Sequence, residues 1–368
     1  MKTLHNRLMF TISSIFIISI LMTSPLALAE PKLPEDIPEV SKAPFKTQII
    51  KHGNLIAYVK PLYTTYGNPV DYITAPGTYD GVAKLILTLN TKPFPITVGC
   101  SGALISDTHI LTAAHCVTSD KNGKLILKEG TAYFETNEGN SISISLDASQ
   151  TVVHPDWTYD ILKGNDVAIL KLVSPATGLT VYGLNSDPTN ELAVREKVGY
   201  GRSGNGNVGD VLDFGTKRDG QNLYDAVADT MLDALGTQGY VPGSVLQYDF
   251  DNELATNDAF GFFFGLADAG LGVPEVNSAP GDSGGPTLDG NTVTGITSYG
   301  IRLQYIDGSS SDIDGDLNSS FGEFAGDTRV STYYSFIDSV INGGSAPPPP
   351  DDGSGGACPP AKQAKGKC

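Results

Sequence analysis

The sequence is poor in cysteine, in histidine and in long apolar stretches, and each scarcity excludes a class of protein. Four cysteines and five histidines occur in 368 residues, and no two cysteines have the C-x-x-C spacing of a zinc site. Beyond the first 29 residues, no stretch is long and apolar enough to span a bilayer. Basic residues are scarce as well, 24 against 41 acidic ones, and the net charge of −17 disfavours nucleic acid and anionic lipid as partners.

Residues 1–29 are predicted to be a signal peptide. Lys2 and Arg7 precede the apolar run 8–22, and residues 27–29 (ALA) offer a cleavage site of small residues before Glu30. A membrane anchor is the alternative, but the run is short for a full span. We therefore expect a secreted protein, extracellular or periplasmic, with no membrane attachment after the signal is removed.

Glycine and proline are abundant, with 42 and 23 residues, and favour many turns between short strands in an all-β architecture. Apolar residues alternate along 82–89, which predicts a strand with one buried face. Four apolar residues between Tyr333 and Val340 have the i, i+3, i+4, i+7 spacing of an amphipathic helix. The chain therefore divides into the signal 1–29, a Pro-rich pro-segment or N-terminal extension 30–78, a folded domain 79–343 and a tail 344–368.

The tail begins with a Pro-rich and Gly-rich linker and ends in a basic segment between Cys358 and Cys368. These two cysteines are isolated from the others, and we expect them to pair with each other. The segment is interpreted as a contact for an unknown surface partner, and a disordered tail is the equal alternative.

Three separated motifs carry candidate chemistry. Ser283 lies in residues 278–286 (SAPGDSGGP), where glycine and proline exclude an ordinary helix or strand and let backbone N–H groups converge on one point. His115 lies in the mostly apolar segment 111–116 (LTAAHC), and Asp166 opens the apolar run of 164–172 (GNDVAILKL). A Gly/Pro surface turn would explain the serine motif alone. The three motifs together, in the order His, Asp, Ser, predict nucleophilic catalysis.

These motifs and their order resemble the trypsin/chymotrypsin-like serine proteases. The resemblance implies two perpendicular six-stranded antiparallel β-barrels with a C-terminal helix, in a monomeric endopeptidase that hydrolyses polypeptides through an acyl-enzyme intermediate. It implies His115 as the general base, Asp166 as the carboxylate that orients it and Ser283 as the nucleophile. The backbone N–H groups of Gly281 and Ser283 would form the oxyanion hole, and Cys100 would pair with Cys116.

The resemblance also implies where substrate binds. Ser298, Tyr299 and Gly300 would form the wall along which substrate adds as a strand, with Ser298 also bonded to Asp166. Asn277 and Ser278 would form the base of the pocket for the P1 side chain. Because a neutral amide cannot neutralise a buried Lys or Arg, we expect a neutral P1 residue. A carboxylate from residues 322–327, Glu323 or Asp327, would restore a basic preference if it reached into the pocket.

The chain also departs from the family at its activation site and in the spacing of its motifs. No Arg/Lys-Ile-Val-Gly-Gly occurs, and counting back from residue 82 puts the mature N-terminus near 68–72, with no basic residue before it. The long interval between Asp166 and Ser283 indicates an insertion within 202–276. Spacing there predicts a helix over Leu223–Leu235, and the Phe-rich segment 260–264 is interpreted as a strand. A catalytically silent binding module and an esterase with little peptidase activity are the alternative functions.

One acidic segment bears on metal binding. Its residues follow the ligand spacing of an EF-hand loop, but Leu317 stands where that loop needs glycine. A solvated acidic loop is the preferred interpretation, calcium is the alternative, and no other cofactor is expected. The ligand positions would be Asp312, Asp314, Asp316, Asn318, Ser320 and Glu323.

Overall fold

A computed structural model describes residues 47–60, 63–137 and 140–343. The signal peptide, the start of the N-terminal extension and the pair Cys358 and Cys368 lie outside the described residues. No helix in the described ranges is long and apolar enough to cross a membrane. The strands are β1 (Gln48–His52), β2 (Leu55–Lys60), β3 (Tyr63–Thr65), β4 (Val82–Leu89), β5 (Ile96–Ser106), β6 (His109–Thr112), β7 (Leu127–Glu135), β8 (Ser141–Val153), β9 (Ala168–Leu172), β10 (Gly183–Leu184), β11 (Val194–Gly199), β12 (Arg218–Leu223), β13 (Ala226–Val227), β14 (Val245–Asp249), β15 (Val276–Ser278), β16 (Pro286–Asp289), β17 (Thr292–Tyr305) and β18 (Phe324–Arg329), and the helices are α1 (Asp229–Ala234), α2 (Ala259–Phe264) and α3 (Val330–Ile341).

The first half of the chain forms a closed six-stranded barrel in the order β4-β5-β6-β9-β8-β7. The strand predicted at residue 82 is present, but the expectation of a single buried face is wrong. Lys84 and Ile86 are only 5% and 6% exposed, and the second half of the chain covers Lys84. Lys84 Nζ lies 3.4 Å from the Gly215 carbonyl oxygen and 5.6 Å from the ring centroid of Tyr200.

The second half forms a larger sheet in the order β12-β11-β16-β17-β18-β14-β13. Since β12 and β13 belong to one stretch, residues 218–227, the two ends of this sheet are joined by the chain itself. If β12 and β13 are counted as one strand and the order is read from β11, the strands follow one another as first, second, third, sixth, fifth and fourth along the chain. The strands of the first barrel, read from β4, have the same order. The predicted all-β fold is confirmed.

The described part of the N-terminal extension packs on the second sheet. β1 and β2 form a hairpin, and β2 continues the sheet by pairing antiparallel with β17, from Leu55 opposite Tyr305 to Lys60 opposite Gly300. β3 pairs with β15, with Thr64 opposite Asn277. Thr64 is fully buried, so this segment is an integral part of the fold.

Two predictions within 202–276 are wrong. The helix expected over Leu223–Leu235 is limited to α1, because Leu223 and Val227 pair as strands with neighbouring chain. The Phe-rich segment is the helix α2, whose first turn is capped by Asp258, the acceptor from the Gly261 N–H. The predicted C-terminal helix is α3.

Candidate active site

His115 and Asp166 lie at the same end of the first barrel. His115 lies in a short 3-10 turn, Ala114–Cys116, that follows β6, and Asp166 precedes β9. Because β6 and β9 pair antiparallel, with Thr112 opposite Ala168, residues 51 positions apart become neighbours. The His115 Nδ1 lies 2.7 Å from Asp166 Oδ2, and the His115 backbone N–H donates to Asp166 Oδ1 at 2.9 Å. Both side chains are 1% exposed.

The second half of the chain fixes the Asp166 carboxylate. The Ser298 hydroxyl donates to Asp166 Oδ2 at 2.5 Å, and the Thr328 hydroxyl donates to its backbone carbonyl at 3.1 Å. The preceding residue, Asn165, donates its backbone N–H to the Tyr333 hydroxyl of α3 at 2.6 Å. Contacts from β17, β18 and α3 therefore hold the carboxylate that orients the imidazole.

Ser283 lies in a tight turn pressed against the His115 segment. The Ser283 carbonyl oxygen is 3.6 Å from Cys116 Sγ, and Ser283 is 1% exposed. The next residue, Gly284, has φ +82° and packs so closely that a Cβ would lie 2.0 Å from the Thr112 Oγ1. Only glycine fits there, which explains the glycine after the serine in the motif.

Ser101 on β5 connects the two halves behind this turn. Its place after Cys100 was the only indication of it in the sequence. Its backbone N–H donates to the Ser283 carbonyl at 2.9 Å, and its hydroxyl donates to the Gly281 carbonyl at 2.9 Å. The Tyr200 N–H donates to the Ser101 hydroxyl oxygen at 3.0 Å. The backbone on both sides of Asp282 is thus anchored to the first barrel.

Asp282 is buried against the Gly-aromatic-Gly segment of the second sheet. Its carboxylate accepts from the Gly201 N–H at 2.8 Å and from the Ala279 N–H at 3.1 Å. A Cβ on Gly199 or Gly201 would lie 1.8 or 2.2 Å from an Asp282 oxygen, so both glycines are required. Burial raises the pKa of Asp282 to about 8, against the opposing hydrogen bond from Gly201 and the more distant charge of Lys197.

Cys100 and Cys116 form a disulfide, as the resemblance implies. The bond connects β5 to the turn that carries His115. It therefore covalently ties the candidate base to the strand that anchors the serine turn.

The residues expected to bind substrate come together around β15 and β17. Asn277 is 1% exposed, and its Oδ1 accepts from the Ser278 N–H at 2.8 Å. In the described part of the chain, Asn277 Nδ2 and the Ser278 hydroxyl are buried with no hydrogen-bond partner. Tyr299 is fully buried, and its ring packs so closely on Gly326 that a Cβ there would lie 2.7 Å from it. Gly300 lies opposite Lys60 of β2.

The two carboxylates considered as alternative pocket charges have other partners. Asp327 Oδ2 accepts from Lys197 Nζ at 2.6 Å, inside the second sheet. Glu323 is fully buried and accepts from the backbone N–H groups of Asn318 and Ser319, at 2.8 and 3.0 Å.

The acidic loop is partly committed to protein contacts. Asp312 forms an ion pair with Arg302 and accepts from the Gly315 N–H at 2.9 Å. Asp314 accepts from the Asp316 N–H at 2.8 Å, as in an ordinary polar turn. Glu323 and the Asp312 side chain are buried and not solvated as expected, and calcium binding by this loop stays an untested alternative.

The arrangement bonds a buried imidazole to a carboxylate and packs the residue after the imidazole against the serine turn. An aspartate on Nδ1 fixes the ring tautomer with Nε2 as the proton acceptor and stabilises the imidazolium. Backbone N–H groups around Gly281 and Ser283 can serve as donors for an oxyanion. This set of groups is suited to acyl transfer.

Comparison with known proteins agrees with this chemistry. The family model described as Trypsin matches residues 82–239. The trypsin of Saccharopolyspora erythraea is 25% identical over 222 residues, which cover 57% of this chain and 83% of that trypsin. Trypsin-4 of Rattus norvegicus is 30% identical over 205 residues, which cover 55% of this chain and 69% of Trypsin-4.

A solved structure described as HL collagenase shares the fold, with a TM-score of 0.50 and 21% identity over 75% of this chain and 98% of its own. The Trypsin match begins at β4 and includes His115 and Asp166. With the repeated barrel order and the buried His115–Asp166 pair, these similarities lead to one conclusion. The chain belongs to the trypsin/chymotrypsin-like family and is a serine endopeptidase.

Proposed function

We propose that this chain is a secreted endopeptidase that cleaves polypeptides after neutral residues through His115, Asp166 and Ser283. The observation that carries the proposal is the buried His115–Asp166 pair, held at 2.7 Å and buttressed by Ser298. The signal-like N-terminus and the Cys100–Cys116 disulfide support export, because disulfides persist outside the cytosol.

In the proposed reaction, Ser283 Oγ attacks the scissile carbonyl while His115 Nε2 takes its proton. Asp166 stabilises the imidazolium, and the N–H groups of Gly281 and Ser283 hold the oxyanion, with each such donor lowering the barrier by about 3 kcal/mol. His115 then protonates the leaving amine, and an acyl group remains on Ser283. Water attacks this ester with His115 again as the base, which releases the acid and restores the serine.

Three observations support a neutral P1 pocket. Asn277, at the expected base, brings an amide and no charge. Asp327 is neutralised by Lys197, and Glu323 is engaged by two backbone N–H groups. An Arg or Lys side chain buried there would lose hydration with no carboxylate in return. A peptide panel that varies only P1 tests this preference, and the highest kcat/KM on Arg or Lys would refute it.

The direct test of the function is Ser283→Ala. We expect kcat on a peptide substrate to fall by about 10⁴-fold or more, with the fold intact by circular dichroism. Ser149→Ala is the matched control. Ser149 is an exposed serine on β8, so this variant should retain full activity. Equal turnover in Ser283→Ala would refute the assignment. Turnover of ester but not of peptide substrates by the wild-type protein would instead support the esterase alternative.

A further inference from the structure

A group of buried carboxylates lies in the second half of the chain, within a ten-residue stretch. Asp249 ends β14, Asp251 follows two residues later and Asp258 caps α2. One carboxylate oxygen from each of the three lies within 4.8 Å of the other two. The residues are 2–4% exposed, so little solvent reaches them.

The side chain of Asp251 gives a second, independent indication that this group binds a ligand. Its Oδ1 is buried and has no hydrogen-bond donor among the residues that the structure describes. The neighbouring carboxylates do have donors, since Asp249 Oδ2 accepts from the Phe260 N–H at 2.7 Å and Asp258 Oδ1 accepts from the Gly261 N–H. A carboxylate oxygen left buried without a donor is strongly destabilising, so it needs a positive partner.

The surrounding charge also calls for a cation. Glu275 lies beside the group, accepting from the Asp251 N–H at 2.7 Å and from the Leu271 N–H. Asp225 and Asp268 also act on these carboxyls, so the charges that surround the group in the described part of the chain are all acidic.

We infer that Asp249, Asp251 and Asp258 bind a calcium ion, with Glu275 positioning Asp251 through its backbone N–H. The donors are all carboxylate oxygens, with neither histidine nor cysteine among them, which suits a hard cation and not zinc. Magnesium keeps most of its water and uses one or two carboxylates, whereas calcium accepts several carboxylates at 2.3–2.6 Å in flexible geometry. Three buried carboxylates therefore favour calcium.

The site lies next to the strand that the proposed function assigns to P1 recognition. The Asn222 side-chain amide donates to the carbonyls of both Asp249 and Val276, at 2.8 Å each. Glu275 and Val276 directly precede Asn277. Calcium would therefore stabilise the base of the pocket as well as the fold, although the binding itself does not depend on the proposed specificity.

The test uses the chain without its signal, carrying Ser283→Ala to prevent self-cleavage, and measures thermal unfolding in EGTA, CaCl2 or MgCl2. We expect calcium to raise Tm by about 4 °C or more, magnesium to do so far less, and calorimetry to report one calcium ion per chain at this site. Asp251→Asn should lose most of this shift and weaken calcium affinity by about tenfold or more. In EGTA its Tm should equal or exceed that of the parent, since a buried charge is removed.

Asp316→Asn, in the acidic loop 312–323, is the matched control and should keep the full calcium shift. Asp249→Asn provides a second variant should Asp251→Asn fold poorly. The inference is overturned if the parent shows no calcium shift, if Asp251→Asn and Asp249→Asn both keep it, or if Asp316→Asn alone abolishes it. None of these outcomes depends on catalysis, so a failure of the calcium proposal would not refute the proposed function.

Discussion

At the scale of the residue, the site depends on side chains that a sequence pattern cannot reveal. Ser298 could be anticipated because it stands in a recognisable Ser-aromatic-Gly segment, and it does bond to Asp166. Ser101 could not, because its partners Gly281 and Ser283 are about 180 positions away. Asp327 was considered as a pocket charge, and only the fold brings Lys197 to neutralise it. Local motifs therefore identify reacting groups, whereas their supports depend on long-range packing.

Ser101→Ala should impair catalysis without touching a reacting atom. The variant leaves the Gly281 carbonyl and the Tyr200 N–H without their shared partner, which costs about 1–3 kcal/mol of stability. Because the serine turn loosens, we expect kcat to fall by about tenfold while KM changes little. Steady-state kinetics and urea unfolding measure both effects. Ser143→Ala, exposed on β8, is the control, and an unchanged kcat in Ser101→Ala would contradict the role of Ser101.

Asp282 should make stability depend on pH. Its folded pKa, about 8, lies above the ordinary value near 3.9, so the folded protein binds this proton more tightly than the unfolded chain. The contribution to stability is present below pH 4 and is lost as pH rises toward 8. Between pH 5 and pH 8, the free energy of unfolding of Asp282→Asn should fall by roughly 3 kcal/mol less than that of the parent. Urea unfolding at pH 5 and pH 8 measures this difference. If the unfolding free energy of Asp282→Asn changed with pH as much as that of the exposed control Asp120→Asn, the prediction would be refuted.

At the scale of the element, pairing partners decide structure more than local pattern does. The phenylalanines of 260–264 were interpreted as a strand, but the Asp258 cap makes the segment a helix packed on Phe324. Leu223 and Val227 have helical spacing, yet they pair with β11 and β14. No pattern indicated β2, which exists because the edge of β17 is available to it. Spacing alone does not identify such edges.

The pairing of β2 leads to a prediction about activation. Lys60 occupies the place opposite Gly300 that the proposed function gives to substrate, so the N-terminal extension would block it. Because β3 is buried in the fold, we propose that maturation cuts between Lys60 and Tyr63 and not near 68–72. A chain that starts at Tyr63 should have kcat/KM about tenfold or more above one that starts at Glu30.

A chain that starts at Thr47 keeps the β1–β2 hairpin and is the matched control, expected to be as slow as the longer chain. Equal kcat/KM for all three chains would show that β2 leaves the substrate edge open. Sequencing the N-terminus of the secreted protein would then locate the natural cut.

At the scale of the whole molecule, two halves with the same strand order enclose one site. The all-β barrel architecture followed from motifs and a family resemblance. The pairing of β2 with β17 and of β3 with β15 did not, because it requires contacts across more than 200 positions. The disulfide Cys100–Cys116 affects the stability of the whole molecule, because it reduces the conformational entropy of the unfolded chain.

Replacing both Cys100 and Cys116 by alanine should lower the free energy of unfolding by about 3 kcal/mol, as expected for closing a loop of this length. The double variant Cys358→Ser/Cys368→Ser, in the tail, is the control and should unfold like wild type. Urea unfolding of the three proteins gives the comparison. A loss of stability in the tail variant equal to that of the first pair would contradict this division of roles.

Covalent labelling determines whether His115, Asp166 and Ser283 form one catalytic unit. A fluorophosphonate reacts with a serine only when a neighbouring base activates it. We predict that mass spectrometry of the labelled, mature protein finds one adduct, on the peptide containing Ser283, and that His115→Ala and Asp166→Asn label at least about 10³-fold more slowly. Absence of the adduct from mature wild type, or equal labelling in His115→Ala, would contradict the account.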